Sequence, residues 1–485
     1  MNEGLLLVGA ILVLAGAGLS KVATRLGVPS LVLFLVIGML AGSEGVLGIE
    51  FDDVEIAQQV GIIALAYILF SGGISTSWPD IRPVALPGAA LATVGVLLTM
   101  IILGLLSSVV LGIGLLPGLL LGAVISATDA AAVFSILRSR GIALNKRFAS
   151  LLELESGSND PAAVFLTVGV ISLITGDANG VVDLVVLFIQ QMSIGLVAGW
   201  GLARVALWLI NRLRLEFDGL YPVLTAAFVL MLYSATDLIG GSGFLAAYVA
   251  GLTMANSTFI HKGSIQRFHD AIAWLAQIIM FVVFGLLVFP SDLPGVALRG
   301  LLIAALLAFV ARPISVLITL LPFRMPIREI GFTSWIGLRG ATPIILATFP
   351  LVQGIDGAET IFNVVFFVVL TSVLVQGTTV TAAARWFGVA CDTPVIASRS
   401  QELMISENAA HNLHEVDIGE DSPAIGRALF ELGLPDGVLI ALLYRNNTVH
   451  VPQGGTVLAA GDVVMLVAEN DDDYARARFL LHGND

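Results

Sequence analysis

Glu153-Leu154-Glu155-Ser156-Gly157-Ser158-Asn159-Asp160-Pro161 runs without a break into Ala162-Ala163-Val164-Phe165-Leu166-Thr167-Val168. Two glutamates and an aspartate therefore sit inside a hydrophobic segment. Ionisable groups at membrane depth are costly unless they face a cavity or a partner, so they are functional candidates by default. On a helix, Ser156 and Asp160 share a face, and Glu155 and Asn159 form a second such pair beside them. A carboxylate next to a hydroxyl and an amide is an oxygen-rich site suited to a small hard cation or a proton.

The rest of the chain fits that depth. Of its 485 residues, 57% are hydrophobic and 12% charged, and the mean hydropathy is +0.96. Soluble proteins carry about a quarter charged residues, so the composition predicts a polytopic α-helical membrane protein. A formal charge of −13 offers phosphate no basic face and argues against a nucleic-acid partner. Cys391, the single cysteine, cannot form an internal disulfide and has no His or Cys neighbour to activate it, so it reads as inert. Asn2-Glu3 is acidic where a secretory signal would be basic, and no small-residue cleavage site follows. The first span is expected to be retained.

A span needs about 20 apolar residues, fewer where the helix is broken. Thirteen segments qualify: 4–23, 28–43, 55–73, 84–112, 117–139, 148–175, 181–211, 220–236, 242–256, 269–289, 296–321, 330–351 and 359–387. Lys21 and Arg25 follow the first, Arg82 the third, and Arg138, Arg140, Lys146 and Arg147 the fifth. Arg212 and Arg214 follow the seventh, Lys262 and Arg267 the ninth, Arg324 and Arg328 the eleventh, and Arg385 closes the thirteenth. The intervening loops are acidic, with Arg299 as the exception. Positive-inside bias then places the N-terminus outside and the C-terminus in the cytoplasm of a cell that carries the protein in its inner membrane.

The fifth segment holds Ser126-Ala127-Thr128-Asp129-Ala130-Ala131 and the twelfth Arg339-Gly340-Ala341-Thr342-Pro343-Ile344. Both place a polar break at membrane depth, seven segments apart. Inverted repeats with interrupted helices at matching positions point to a midplane site in secondary transporters. After Arg385 the chain turns polar and acidic. Glu415 to Ile418 reads as a strand, Ser422-Pro423 as the start of an amphipathic helix ending near Gly433, and Val438 to Tyr444 as a buried strand. Asn446-Asn447 reads as a turn into Thr448 to Pro452, Val463 to Ala468 as a further strand, and Asp471 to Leu481 as a closing helix. That is one small cytosolic α+β module. The expected domains are a membrane domain at 1–390, a linker at 391–402 and the tail at 403–485.

Asp160 is the residue expected to carry the chemistry, as a carboxylate that holds a proton or a metal cation but not both at once. The competing reading is a carboxylate permanently hydrogen-bonded in place. Pro161 donates no backbone hydrogen bond and loosens the helix there. If the fifth and twelfth segments unwind and cross, half-helix N-termini point inward; Asp129 compensates their partial positive charge, and Thr128 is free to touch the ion. Otherwise Asp129 lies near the membrane surface. Arg339 requires a buried partner, and Glu155 or Glu153 is the natural one; the alternative is an arginine that binds an anionic substrate. His261, His269 and the tail histidines have no ligand spacing and read as surface residues.

Glu155-Ser156-Gly157-Ser158-Asn159-Asp160-Pro161, Ala127-Thr128-Asp129 and Gly337-Leu338-Arg339-Gly340-Ala341-Thr342-Pro343 resemble the sixth, fifth and twelfth spans of NhaP-type monovalent cation/proton antiporters. The resemblance covers residues 1 to about 390. It implies about thirteen transmembrane helices with inverted repeats and a core of crossed, discontinuous helices, a homodimer, and elevator-like alternating access. By the family pattern Thr128, Ser156 and Asp160 line the ion site, Asn159 supports it, and Glu155 pairs with Arg339. The neutral Asn159 goes with electroneutral exchange in the family. Many relatives carry an acid before the double glycine of the third span; here the place reads Phe70-Ser71-Gly72-Gly73. Ser71 still offers an oxygen, but the weaker field favours potassium over sodium.

The tail resembles the TrkA-C (RCK_C) module of potassium-transport regulators, through Ala424-Ile425-Gly426-Arg427 and Leu458-Ala459-Ala460-Gly461-Asp462-Val463-Val464. In relatives such modules dimerise and some bind cyclic di-AMP. The combined expectation is no enzyme but an electroneutral potassium/proton antiporter that also accepts sodium, gated by its tail, with no cofactor beyond the transported ions. A sodium/proton antiporter is the same-class alternative. A cation channel with a regulatory domain is the alternative of another class, although no Thr-Val-Gly-Tyr-Gly filter occurs. A sensor tail on a passive membrane anchor is a third.

Overall fold

The computed structural model describes residues 30–392 except 179 and 214, residues 14, 16 and 18, and residues 413–482 except 420, 421, 436, 446, 447 and 469. All of the expected first span but residues 14, 16 and 18, its flanking Lys21 and Arg25, the linker from 393 and the Asn446-Asn447 turn lie outside the described residues. The chain divides into two units, Met1–Asp392 and Thr393–Asp485.

The first unit is helical. α1 (Ser30–Ala41) is followed by α2 (Val54–Ile74), which starts at Asp53, whose Oδ1 accepts from the Ile56 amide at 2.9 Å. An acid at this position caps free amides and complements the helix dipole. α3 (Trp78–Leu111) contains a π-helical turn at Leu91–Gly95. The next expected segment is split into α4 (Leu115–Ile125) and α5 (Ala130–Ser139). A short strand β1 (Ile142–Leu144) leads to α6 (Lys146–Thr175), which carries the acidic stretch quoted first. Then come α7 (Val181–Arg212), α8 (Leu220–Leu238), α9 (Gly243–Ala255), α10 (Lys262–Leu286) and α11 (Leu293–Phe323), the last with a second π-helical turn at Leu307–Ala311. α12 (Ile327–Trp335) and α13 (Thr342–Val352) form the second split segment. α14 (Ala358–Trp386) closes the unit and runs into β2 (Ala390–Asp392).

Helices occupy the segments expected from residue 28 onward, but eight of them, among the described residues, are long and apolar enough to cross a membrane by themselves. The others are short or interrupted. Pro343, in the first turn of α13, explains one interruption: it has no amide hydrogen to continue a helix from α12, yet it is tolerated where that amide would be unpaired anyway. α3 and α11 meet through the hydroxyls of Thr99 and Ser315, 2.8 Å apart and both buried. β1 and β2 pair antiparallel, with Ile142 opposite Asp392, Ala143 opposite Cys391 and Leu144 opposite Ala390.

The second unit is a four-stranded antiparallel sheet in the order β3-β6-β4-β5, from β3 (Leu413–Asp417), β4 (Val438–Arg445), β5 (Thr448–His450) and β6 (Val463–Ala468). α15 (Asp471–His482) buries Ala477 and Leu481 against Val416, Ile440, Leu443, Val464 and Leu466. The amphipathic helix expected from Ser422 to Gly433 is not formed. Turns and a single 3-10 turn at Leu429–Glu431 take its place. Gly426 adopts φ +77, and Ala428 forms an isolated bridge to Val457, so the backbone is committed to pairing with the loop before β6 rather than to a helix. The Ser422 hydroxyl is committed elsewhere too, donating to the Leu481 carbonyl.

Candidate functional site

The site is built where the two split segments meet. Residues 126–129 and 337–340 are non-helical, and the Asp129 amide donates to the Leu338 carbonyl at 2.8 Å. Gly340 permits the contact: a Cβ there would lie 2.8 Å from the Asp129 Cβ, closer than packed atoms tolerate. Four helix ends converge on this crossing. α5 and α13 begin here and direct partial positive charge inward; α4 and α12 end here and leave carbonyls without intrahelical partners. The Asp129 carboxylate answers the first need, its Oδ1 accepting from the Ala132 amide at 3.1 Å. Arg339, fully buried, answers the second by donating Nη1 to the Ser126 and Ala127 carbonyls, each at 2.6 Å. On α14, Ser372 Oγ accepts from the Arg339 amide at 3.1 Å and Gln376 Nε2 donates to the Trp335 carbonyl at 2.9 Å. Irregular backbone is tolerated at membrane depth only with its polar groups satisfied in this manner.

α6 lies against the crossing. The Ser156 hydroxyl accepts from the Ala130 amide at 2.9 Å and donates to the Thr128 carbonyl at 3.0 Å. Asn159 Nδ2 donates to Thr128 Oγ1 at 2.6 Å. These bonds hold the unwound turn, and each oxygen involved retains a lone pair. Asp160 is 9% exposed, with the Thr342 hydroxyl in hydrogen-bonding reach and the Asp129 carboxylate near enough to act on it electrostatically. Gly157 gives room for the Tyr248 ring of α9: a Cβ at 157 would stand 3.0 Å from the phenol Cζ.

Asp160 opens onto a cavity of about 750 Å³ that is also lined by Ser71, Thr128, Asp129, Arg138, Glu153, Ser156, Tyr248, Asp270 and Thr342. The structure thus brings Ser71, Thr128, Asp129, Ser156 and Asp160 to one space. Asn159 stands behind Thr128, while Glu155 and Arg339 are set back in the protein, both buried. Among the described residues no cluster of His, Cys, Asp or Glu has the make-up of a multivalent metal site. The oxygen set is instead the Asp160 and Asp129 carboxylates with hydroxyls and carbonyls.

Three expectations are corrected. Glu155 does not pair with Arg339. Its partner is Arg312 of α11, whose Nη2 meets Glu155 Oε1, and both side chains are 3% exposed. Five residues along a helix of 100° per residue turn Glu155 away from the Asp160 face, towards α11, while the Arg339 Nη1 is committed to backbone carbonyls. Nor does Glu153 take that role: it lines the cavity. His269 is not on the surface. It is wholly buried, its Nε2 is 2.9 Å from Thr225 Oγ1, and its ring lies 4.6 Å from that of Phe70. Arg312, Asp270, Tyr248 and Thr342 are the residues that sequence reasoning passed over. Arg312 carried a signal, a charge in the middle of an apolar segment; Asp270, next to His269 near the start of another, carried a weaker one.

Comparison with known proteins follows the two units. Residues 9–386 match the family described as "Sodium/hydrogen exchanger, transmembrane", and residues 413–480 match the TrkA-C domain. The chain is 41% identical over 466 residues to the "K(+)/H(+) antiporter NhaP2" of Shewanella sp. (strain ANA-3), covering 96% of this chain and 81% of that protein. It is 38% identical over 475 residues to the "K(+)/H(+) antiporter NhaP" of Alkalimonas amylolytica, covering 97% and 82%. Its fold is similar to that of the sodium proton antiporter MjNhaP1 from Methanocaldococcus jannaschii, with a TM-score of 0.69 at 24% identity over 79% of this chain and 99% of that one.

Proposed function

The chain belongs to the sodium/hydrogen exchanger family, and on that premise we propose that it exchanges potassium for protons, one for one, by alternating access, with sodium as a poorer substrate. It is a cation/proton antiporter and not an enzyme. One observation supports the reading above others: the Asp160 carboxyl stands at the crossing of two interrupted helices and opens onto a cavity into which hydroxyl and carboxyl side chains also project. A carboxyl in that position is neutralised by a proton or by an alkali cation, and each ligand excludes the other. In this reading Asp160 is the carrier, with Ser156, Thr128 and Ser71 as further oxygens and Asn159 and Asp129 as supports. Glu155 and Arg339 are architectural.

Arg138 and Glu153 line the same cavity. Positive-inside bias assigns their end of the membrane unit to the cytoplasm, so the cavity is the inward-facing access route. The same bias leaves the N-terminus outside and the C-terminus inside, with thirteen spans when the first is included and with repeats of inverted topology. The protein works as a homodimer, and its tail is the regulatory module, where a nucleotide such as cyclic di-AMP is the candidate ligand. A channel has no need of a titratable carboxylate on its route, and no potassium filter sequence is present.

The test is proton release from vesicles containing the purified protein, driven by potassium or by sodium and followed with a pH-sensitive dye under voltage clamp by ionophore. Exchange is expected with potassium at lower concentration than with sodium, without net current, and is expected to vanish in Asp160→Asn. Current set by voltage, or exchange that survives in Asp160→Asn, refutes the reading; a preference for sodium moves it to the sodium/proton alternative.

A further inference from the structure

Asp270 is a further carboxylate in the cavity that leads to Asp160, on the wall away from Asp129 and Glu153. It sits on α10, lines the same cavity, and accepts the Ser71 hydroxyl on Oδ1 at 2.8 Å. That bond joins α10 to α2, a different part of the wall from α6, where Asp160 stands. The Ser71 proton is used on Asp270, which leaves the serine oxygen with lone pairs to offer. The second carboxyl oxygen of Asp270 accepts no hydrogen bond among the described residues. The two side chains therefore present a hydroxyl oxygen and a carboxylate oxygen, held together, to an ion in the cavity. Buried His269 braces this arrangement from the neighbouring position, its ring packed on Phe70, the residue before Ser71.

We propose that Asp270, oriented by Ser71, is the cation-recruiting residue of the exchange, setting affinity for the alkali ion while Asp160 carries the exchange itself. The proposal rests on the antiport reading above. A cation bound for Asp160 has to leave bulk water, and a fixed negative charge along the way raises its local concentration. The negative charge absent from position 71 is thus supplied across the helix contact, from α10.

Asp270→Asn tests this cleanly, because the amide oxygen still accepts from Ser71 and only the charge is lost. In vesicles at constant pH, the potassium KM is expected to rise about tenfold, the size of effect for a unit charge within ~8 Å at intermediate dielectric. The maximal rate stays within about twofold, since Asp160 is intact. The shift should shrink when an impermeant salt raises ionic strength, and Asp270→Glu should restore most of the affinity. Ser71→Ala, which removes the orienting bond, should raise KM about threefold and carries the test if Asp270→Asn does not insert. A parental KM in the variant that inserts, or a lost maximal rate at unchanged KM, overturns the proposal while leaving antiport intact. A parent protein without potassium-driven proton movement overturns the antiport reading and this one with it.

Discussion

The Asp129 amide hydrogen-bonds the Leu338 carbonyl at 2.8 Å, which fastens the two interrupted helices backbone to backbone at the point where both are unwound. Leu338 is fully buried, so its carbonyl would lack a partner without this bond, which is therefore worth more to the fold than its counterpart in a surface loop. It also fixes Thr128 and Asp129 relative to Asp160, because Ser156 and Asn159 of the same α6 face grip Thr128.

Gly340→Ala is expected to force the crossing apart. A methyl group there would press on the Asp129 carboxylate and lie 2.8 Å from its Cβ, and that carboxylate is held in place by the Ala132 amide. Overpacking of this kind costs about 1–3 kcal/mol, so the melting temperature in detergent should fall and exchange should be lost. A variant that melts with the parent contradicts the geometry.

The Glu155–Arg312 pair should reveal itself in a double-mutant cycle. Removing either partner strands a buried charge and is expected to cost about 3–5 kcal/mol, whereas replacing both with leucine should recover much of the loss. The corresponding cycle between Glu155 and Arg339 should give the smaller coupling, because Arg339 spends its Nη1 on the Ser126 and Ala127 carbonyls. Equal coupling in the two cycles would argue for a shared triad instead.

Gly157→Ala pushes a methyl group into the Tyr248 phenol, 3.0 Å from Cζ. The expected cost is about 1–3 kcal/mol. Combining it with Tyr248→Ala should relieve the clash, so the double variant should melt above the sum of the two single losses. Strict additivity would mean that ring and glycine do not compete for the same space.

In the tail, Asp462 carries a pH signature. Its carboxylate is 1% exposed and accepts from Arg445 Nε at 2.7 Å, Arg445 Nη2 at 2.6 Å and the Ala459 amide at 2.7 Å. Burial pushes this carboxyl up, but the bonds from Arg445 and Ala459 together outweigh it and hold the group below the usual carboxylate range. A folded-state value below the unfolded one means that the stabilisation is complete above the unfolded value of about 3.9 and is lost as pH falls through the folded value. Hydrogen exchange of β6 should therefore accelerate below about pH 4 in the parent. Asp462→Asn should already show faster exchange at pH 7 and lose that acid-dependent step. An acid limb that persists in the variant assigns it to another carboxylate.

How far the sequence could be read depended on whether a residue acts within its own helix or across to another. Asp160, Ser156 and the Thr128-Asp129 break were legible because polar groups in an apolar run are rare and because spacing alone places them on a face. Partner choice was not legible. Glu155 had two buried arginines to meet, and only the packing of α11 against α6 selects Arg312. Asp270 and Ser71 lie 199 positions apart, and nothing local to either announces the other. The tail region at 422–433 has helix-like spacing, but its donors and acceptors are drawn to residues 454–458 of the loop before β6, through the isolated bridge between Ala428 and Val457. A tertiary demand there overrides local propensity.

The small ladder between residues 142–144 and 390–392 gives the protein a mechanical fuse. Its one strand links the fragment that ends near Arg138 to the helix bearing Asp160; its other closes the described part of the membrane unit after the last helix. A pull on residues 390–392 is met first by three facing residue pairs, and the strand across from them runs on into the helix that carries Asp160.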